Sequence, residues 1–110
     1  MAWLVRDGEV LASLEVASSF RSRARGLLGR DGITGALMLS PGRSVHTLGM
    51  RFPIDVAYCD GDLRVLRARR MAPWRVGAPV RGCRTVIEAE AGTFDRWGLR
   101  PGDTLEVKGG

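Results

Sequence analysis

Residues 46–62 read HTLGMRFPIDVAYCDGD and combine an apolar strand pattern with an unusual number of polar groups. The segment holds His46, which is the only histidine of the chain, and a cysteine at position 59. Ile54–Cys59 has the composition of a strand, and the Asp60-Gly61 pair after it predicts a tight turn. Polar side chains at the start of an apolar strand are typical of a functional site. This segment is therefore the first candidate for a binding or catalytic site.

The rest of the chain predicts an α+β fold that is mainly β. Short apolar runs bounded by turn residues predict strands at Trp3–Arg6, Glu9–Leu14, Ala36–Leu39, Ile54–Cys59, Leu63–Arg69, Thr85–Glu90 and Thr104–Lys108. Two short helices are predicted. One is capped by Ser18 or Ser19 and has its apolar face at Phe20, Ala24, Leu27 and Leu28. The other covers Thr93–Leu99. The register of the Leu63–Arg69 strand stays open, because Leu63, Val65 and Leu66 mix its two faces.

Length and composition predict one domain over residues 1–110. The hydrophobic fraction of 45% and the charged fraction of 26% are typical of a soluble globular protein. No apolar run approaches the roughly 18 residues that a bilayer-spanning helix needs. The amino terminus, MAWLVRDGEVL, lacks the basic leader of a signal peptide. We therefore expect a cytoplasmic protein with no membrane partner.

The net charge of +5 raises the question of nucleic-acid binding. Sixteen of the seventeen basic residues are arginine, which suits contacts to phosphate. A GC-rich genome also replaces lysine with arginine, and it enriches Gly and Ala, as is seen in this chain. The basic residues are scattered along the chain, for example at Arg6, Arg43 and Arg96. The sequence therefore favours a compositional origin of the charge over a binding patch.

The two cysteines, Cys59 and Cys83, are predicted to be thiols. A chain without a secretory signal rarely carries a disulfide, and buried thiols usually act as small hydrophobic side chains. The chain has neither a Cys-x-x-Cys motif nor a pair of histidines at zinc-binding spacing. We therefore predict no metal site and no cofactor.

Three segments carry motifs that occur together in a known family. They are FRSRARGLLGRD at 20–31, PIDVAYCDGDLRV at 53–65 and IEAEAGTFDRWGLRPGD at 87–103. In this order they resemble three elements of the bacterial and archaeal domain of unknown function 192 family. These are an arginine-then-Gly-Leu-Met-x-Arg helix, a Pro-Leu-Asp strand with an Asp-Gly hairpin, and a Leu-Glu-x-x-x-Gly helix with a Gly-Asp turn. The resemblance implies a small, curved or barrel-like, mostly antiparallel sheet and brings no assigned reaction.

The chain departs from the family pattern at residues 45–50, which read VHTLGM. The family commonly has an aromatic-Trp-Met-Lys-Asn-Thr run here, so His46 stands at the tryptophan position and the lysine is missing. A role that depends on that lysine cannot be transferred to this chain. Whether Arg51 replaces it stays open.

Asp55 and Glu88 are carboxylates that the pattern places inside strands. Alternation puts Asp55 on the face of Cys59 and Glu88 on the face of Val86. A carboxylate in such a strand is exposed, paired or functional. One interpretation is that both are buried anchors, held by backbone amides or by arginines. The candidate partners are Arg51, Arg75 and Arg81.

The other interpretation leaves these carboxylates open to solvent. A polar pocket then forms, with Trp74 and Met50 as apolar walls. Its lining residues are predicted to be His46, Arg51, Asp55, Arg75 and Glu88. Because guanidinium groups hold anions through paired N–H donors, this pocket suits a small anionic or polyhydroxylated ligand.

Three classes of function follow from these interpretations. The favoured class is a ligand-binding or interaction module with a polar pocket near the Pro-Ile-Asp strand. The second is nucleic-acid binding through an Arg-rich strand and loop with Trp74 as a stacking surface. Its residues are predicted to be Arg64, Arg67, Arg69, Arg70 and Arg75. The third, ranked below these, is an enzyme with His46 as general base beside Cys59 or Asp55. The sequence indicates neither the ligand nor the oligomeric state.

Overall fold

The computed structural model describes residues 1–17 and 32–109, which form seven strands and one short helix. The strands are β1 (Ala2–Arg6), β2 (Glu9–Ala17), β3 (Ala36–Leu39), β4 (Ile54–Cys59), β5 (Val65–Met71), β6 (Thr85–Glu90) and β7 (Glu106–Gly109). The helix, α1, spans Thr93–Trp97. The other predicted helix, with Phe20, Ala24, Leu27 and Leu28, lies outside the described residues.

All seven strands belong to one sheet, in the order β5-β4-β6-β3-β2-β1-β7. Adjacent strands in this sheet are antiparallel, except for β2 and β3, which are parallel. The predicted mainly β, mostly antiparallel α+β fold is confirmed. The sheet is not a closed barrel, but its two edges meet at one end. There Val65 N donates to Asp103 O at 2.8 Å, and Leu105 N donates to Leu63 O at 2.9 Å.

The central strands β4 and β6 are buried on both faces, because separate apolar clusters cover the two sides of the sheet. The cluster on one side, here called the helix-side core, includes Leu4, Leu14, Ala57, Cys59, Ile87 and Phe94. The other, the loop-side core, includes Val45, Met50, Ile54, Val56, Tyr58, Met71 and Val86. The predicted alternation in β4 and β6 agrees with this division. Asp55 projects with the helix-side residues of β4.

The predicted bounds of β3, β4 and β6 agree with the structure, while those of β1, β2, β5 and β7 differ. Strand β1 begins one residue earlier than predicted, at Ala2. Strand β2 runs three residues further than predicted, to Ala17. Leu63 has a left-handed backbone with φ of +63°, so β5 begins only at Val65. Likewise, α1 ends at Trp97 and not at Leu99, because Gly98 turns left-handed at φ of +63° and caps it. No helix in the described residues has the length and apolar character needed to cross a membrane.

Candidate functional site

The carboxylate of Asp55 is buried and fully engaged. Only 3% of the residue surface is exposed. Its Oδ2 accepts hydrogen bonds from Gly92 N at 2.9 Å and Phe94 N at 3.0 Å. Its Oδ1 accepts one from Arg70 Nε at 3.1 Å. Gly92 stands at the N-cap of α1 and has no side chain to satisfy the first N–H groups, so Asp55 takes that role from β4.

Arg70 seals Asp55 from the outer side. It lies directly opposite Asp55 in the β4–β5 register, so the two side chains leave the sheet on the same face. The hydrogen bond to Asp55, and then the charge of Asp55, raise the pKa of Arg70. Arg70 Nη2 also contacts Asp95 Oδ2 at 3.2 Å, in a pair that is open to solvent. Asp55 therefore joins β4, β5 and α1, and Arg70 takes the place predicted for Arg51, Arg75 or Arg81.

Glu88 lies on the opposite face of the sheet from Asp55. Its Cα partner in β4 is Val56, a loop-side residue, whereas the partner of Asp55 in β6 is Ala89. Glu88 is 3% exposed and is not left without an interaction. The sheet therefore separates the two carboxylates.

Two segments that are far apart in the sequence cover the loop-side core. We call residues 41–53 and 72–84 the paired loops, because they run antiparallel and share backbone hydrogen bonds. Thr47 N donates to Arg75 O at 2.8 Å, Gly77 N to Val45 O at 2.8 Å, and Val80 N to Arg43 O at 3.3 Å. Val45, Met50 and Cys83 point from these loops into the core. Residues 72–84 are thus paired through their backbone with the segment that contains His46.

Thr47 fixes the two loops to each other. It is fully buried, and its Oγ1 donates to Ala72 O at 2.7 Å and accepts from Arg75 N at 2.8 Å. Its backbone oxygen accepts from Trp74 N at 2.9 Å. Trp74 is held between these contacts with φ of +62°, a conformation that costs a bulky residue of order 1–3 kcal/mol.

The outer side of the paired loops carries exposed apolar side chains. His46 and Val76 form an antiparallel bridge. Leu48 lies two residues after His46, and Trp74 lies two residues before Val76. The exposed fraction is 42% for Leu48, 64% for Trp74 and 72% for Val76. The imidazole Nδ1 of His46 accepts from Leu48 N at 3.3 Å. We call His46, Leu48, Trp74 and Val76 the Trp74 patch.

The paired loops also carry the whole net charge of the chain. They contain no aspartate or glutamate and five arginines: Arg43, Arg51, Arg75, Arg81 and Arg84. The other twelve basic residues are equal in number to the twelve acidic residues, so the rest of the chain is balanced. The linear spread of the arginines conceals this concentration. The sequence signal that reveals it is the absence of acidic residues from both segments.

Of the five predicted pocket residues, the structure brings His46 and Arg75 together in the paired loops. Arg51 lies in the same loop as His46. Asp55 and Glu88 lie under opposite faces of the sheet, so the five side chains do not line one cavity. Thr47 and the Arg43, Arg81 and Arg84 group were not among the predicted site residues. Their proximity depends on loop pairing that no local pattern encodes.

The residues required by the enzyme hypothesis are not assembled. His46 is exposed on the paired loops, whereas Cys59 is fully buried in the helix-side core. Burial raises the pKa of the Cys59 thiol to about 12, so the thiol is protonated near neutrality. Asp55 is sealed on that same side. The described residues contain no group of three or more His, Cys, Asp or Glu side chains arranged to hold a metal ion.

The arginines of the nucleic-acid hypothesis do not share one face. Arg67 and Arg69 project with Tyr58 and Val56, whereas Arg70 projects with Asp55 on the other side. Arg64 precedes β5, at the end of the strand opposite to Met71 and the loop that carries Trp74. Arg75 alone of the five lies in the paired loops.

Comparison with known proteins places the chain in a family. The model of the DUF192 family, described as an uncharacterized ACR, matches residues 2–107. A UPF0127 protein of Pyrococcus furiosus is 28% identical over 108 residues, covering 94% of this chain and 93% of the relative. A UPF0127 protein of Thermococcus sibiricus is 29% identical over 99 residues. That alignment covers 84% of this chain and 64% of the relative, so the chain spans less than two thirds of that protein.

A solved structure has the same fold. It is a protein from Sinorhizobium meliloti provisionally described as a transcription regulator, with a TM-score of 0.81 at 21% identity. The match covers 96% of this chain and 91% of that one. At this identity the likeness shows the fold alone. The family match over residues 2–107 shows that the chain belongs to the DUF192 family.

Proposed function

We propose that this protein is a binding module that recognises an acidic segment of another protein through the outer side of its paired loops. The observation that carries the proposal is Trp74, a large apolar side chain that is 64% exposed on a left-handed backbone. Of the predicted pocket residues, His46 and Arg75 belong to this surface and Arg51 lies beside it in sequence. Asp55 supports the framework behind it.

The backbone strain at Trp74 supports a role in recognition. Asparagine or glycine would adopt φ of +62° at lower cost than tryptophan. The indole is not packed in either core, so core packing does not repay that cost. Strained residues that the surrounding structure holds in place are concentrated at functional sites. Tryptophan and arginine, here adjacent at positions 74 and 75, are also the residues most enriched among the energetic centres of protein interfaces.

Charge supports an acidic partner. With five arginines and no carboxylate in their sequence, the paired loops are strongly positive, and the remaining basic and acidic residues of the chain are equal in number. Complementary charge speeds the association of such a surface with an acidic one and disfavours basic partners. The apolar contribution of Trp74, Leu48 and Val76 then provides affinity at short range.

Nucleic acid is the competing polyanion. The name given to the Sinorhizobium neighbour is consistent with it, and an exposed tryptophan can stack on a base. The spread of Arg64, Arg67, Arg69 and Arg70 over two faces and two ends of β5 argues for the acidic protein segment instead. The experiment below includes both.

The proposal is tested by fluorescence anisotropy with two labelled probes, a peptide of repeated Glu-Glu-Leu units and a single-stranded oligo-dT. The informative variant is Trp74→Asn, which removes the indole and relieves the left-handed backbone, so the fold is retained. The matched control is Trp3→Thr, because Trp3 is also exposed but lies on β1. We expect the wild type to prefer the peptide. Trp74→Asn should weaken peptide binding by about tenfold, as expected for an interface centre.

Equal binding of the peptide by Trp74→Asn and Trp3→Thr would contradict the proposal. Tighter binding of oligo-dT than of the peptide, lost in Trp74→Asn, would replace the acidic protein segment with nucleic acid. Thermal melting of each variant excludes unfolding as the cause.

A further inference from the structure

A cavity of about 430 Å³ lies at the end of the paired loops where Arg43 faces Val80. Its wall includes Arg43, Arg81 and Arg84, together with Val80, Gly82 and Cys83. The volume falls within the range of roughly 300–1,000 Å³ that is usual for small-molecule sites. We call it the arginine cavity. The Trp74 patch lies at the other end of the loops.

Hydrogen bonds hold the backbone around this cavity. Cys83 N donates to Val80 O at 3.1 Å and closes a turn in which Gly82 has φ of +84°, a value that favours glycine. Arg84 N donates to Cys59 O at the end of β4, and Arg84 O accepts from Gly42 N, both at 2.8 Å. These hydrogen bonds therefore fix the backbone positions of the three arginines before any ligand is present.

The three guanidinium groups have no carboxylate partner in the part of the chain that the structure describes. Within residues 1–17 and 32–109, no hydrogen bond or ion pair engages the side chain of Arg43, Arg81 or Arg84. By contrast, Arg6 is paired with Asp103 and Arg70 with Asp55. Like charges gathered at one concave surface repel one another, and a bound anion removes that repulsion.

From this arrangement we infer that the arginine cavity binds a phosphate monoester group. Such a group has a charge of about −1.5 to −2 at pH 7 and three acceptor oxygens. Arginine offers paired N–H donors in a planar fork that matches these oxygens. A carboxylate carries one negative charge and two oxygens, so it would leave more of the local positive charge uncompensated. The cavity also has room for the organic group that bears the phosphate.

The cavity is suited to binding and not to attack on the phosphate. The thiol of Cys83, a nucleophile in the cavity wall, has two candidate acceptors for its single proton, Gly42 O at 3.3 Å and Thr85 O at 3.4 Å. Burial raises the pKa of this thiol, which keeps it protonated near neutrality. The bound phosphate would therefore stay intact.

The test is isothermal titration at constant ionic strength with two probes, inorganic phosphate and the peptide Gly-phosphoserine-Gly. We expect saturable binding of at least one probe. Arg81→Gln and Arg84→Gln should each weaken it by about tenfold, the value of one charge-assisted contact. Arg64→Gln is the matched control, since Arg64 is exposed and lies outside the cavity. These side chains are on the surface, so the variants retain the fold.

If the peptide binds more tightly than inorganic phosphate, the natural ligand is a phosphorylated protein segment. If inorganic phosphate binds as tightly as the peptide or more tightly, the natural ligand is a small phosphate compound. Protection of Arg81 and Arg84 from phenylglyoxal by phosphate, read by mass spectrometry, locates the site independently. The inference is overturned if neither probe saturates at millimolar concentration, or if Arg64→Gln weakens binding as much as Arg84→Gln does. Trp74→Asn should leave phosphate affinity unchanged, so failure of the acidic-segment proposal is distinguishable from failure of this one.

Discussion

Asp55 accepts hydrogen bonds from three donors that belong to β5 and to the start of α1. Replacing it by asparagine keeps the volume but removes the charge and presents an amide group to N–H donors. We therefore expect Asp55→Asn to lower the free energy of unfolding by about 2–3 kcal/mol, since buried donors lose a charged acceptor. Urea denaturation measures this change.

The matched control is Asp95→Asn, because Asp95 contacts Arg70 from an exposed position. Its effect should stay within about 0.5 kcal/mol, as is usual for solvent-exposed ion pairs. If Asp55→Asn were as mild as Asp95→Asn, Asp55 would not be the anchor that its contacts indicate.

Tyr58 carries a buried hydroxyl group that finds no hydrogen-bond partner among the described residues. Burial is the main reason why its pKa is raised. Tyr58→Phe removes this desolvated group and keeps the ring, with Arg69 still 5.7 Å from its centroid. We expect the free energy of unfolding to rise by about 1 kcal/mol or stay constant. A clear loss of stability in chemical denaturation would show that the hydroxyl has a partner after all.

At the level of single residues, the sequence identified Asp55 but not the arginine that pairs with it. Strand composition and the family resemblance both pointed to Asp55. Its partner follows from the β4–β5 register, in which Arg70 lies opposite Asp55. That register shifts by one residue at a bulge between Tyr58 and Cys59. The apolar pattern of the Leu63–Arg69 strand does not reveal this shift.

Among the elements, β3, β4 and β6 were predictable because turn residues or prolines bound short apolar runs. The pairing of residues 41–53 with 72–84 was not, because it depends on the buried side chain of Thr47 and on loops with no regular period. The exposed tryptophan and the arginines of the paired loops acquire a common surface only through that pairing. The candidate site was therefore less predictable than the sheet beneath it.

Thr47→Val tests whether the hydroxyl of Thr47 holds the paired loops together. The substitution preserves shape but leaves Ala72 O and Arg75 N without their hydrogen-bond partner. We expect a loss of about 2–3 kcal/mol in the free energy of unfolding. Amide exchange should also become faster at Arg75 and Gly77. Thr104→Val, at an exposed position, is the control. Unchanged exchange at Arg75 in Thr47→Val would assign the pairing to backbone contacts alone.

At the scale of the whole molecule, the sheet contains most of the buried core, and the paired loops contain the net charge. The curved sheet buries apolar residues on both faces, and its edges meet through residues 63–65 and 102–105. The paired loops close the loop-side core from outside and carry all of the net charge. Because Thr47 joins these loops through hydrogen bonds, the exposed indole and the basic side chains lie on one surface. In the proposed binding, this arrangement would reduce the ordering cost.

The stability of the whole molecule should fall at alkaline pH because its buried thiols resist ionisation. Burial raises the pKa of Cys59 from 9.0 to about 12 in the fold. Between these values the unfolded chain loses its proton while the native state keeps it, so the unfolded state is favoured as pH rises. The contribution of Cys59 is therefore fully present below pH 9.0 and is lost towards pH 12. The slope approaches about 1.4 kcal/mol per pH unit. Burial of Cys83 acts in the same direction.

Urea unfolding measured at intervals above pH 9.0 should show this decline. Cys59→Ala, although less stable at neutral pH because of the small cavity it leaves, should show a shallower decline. Equal slopes for the two proteins would mean that another group governs alkaline unfolding.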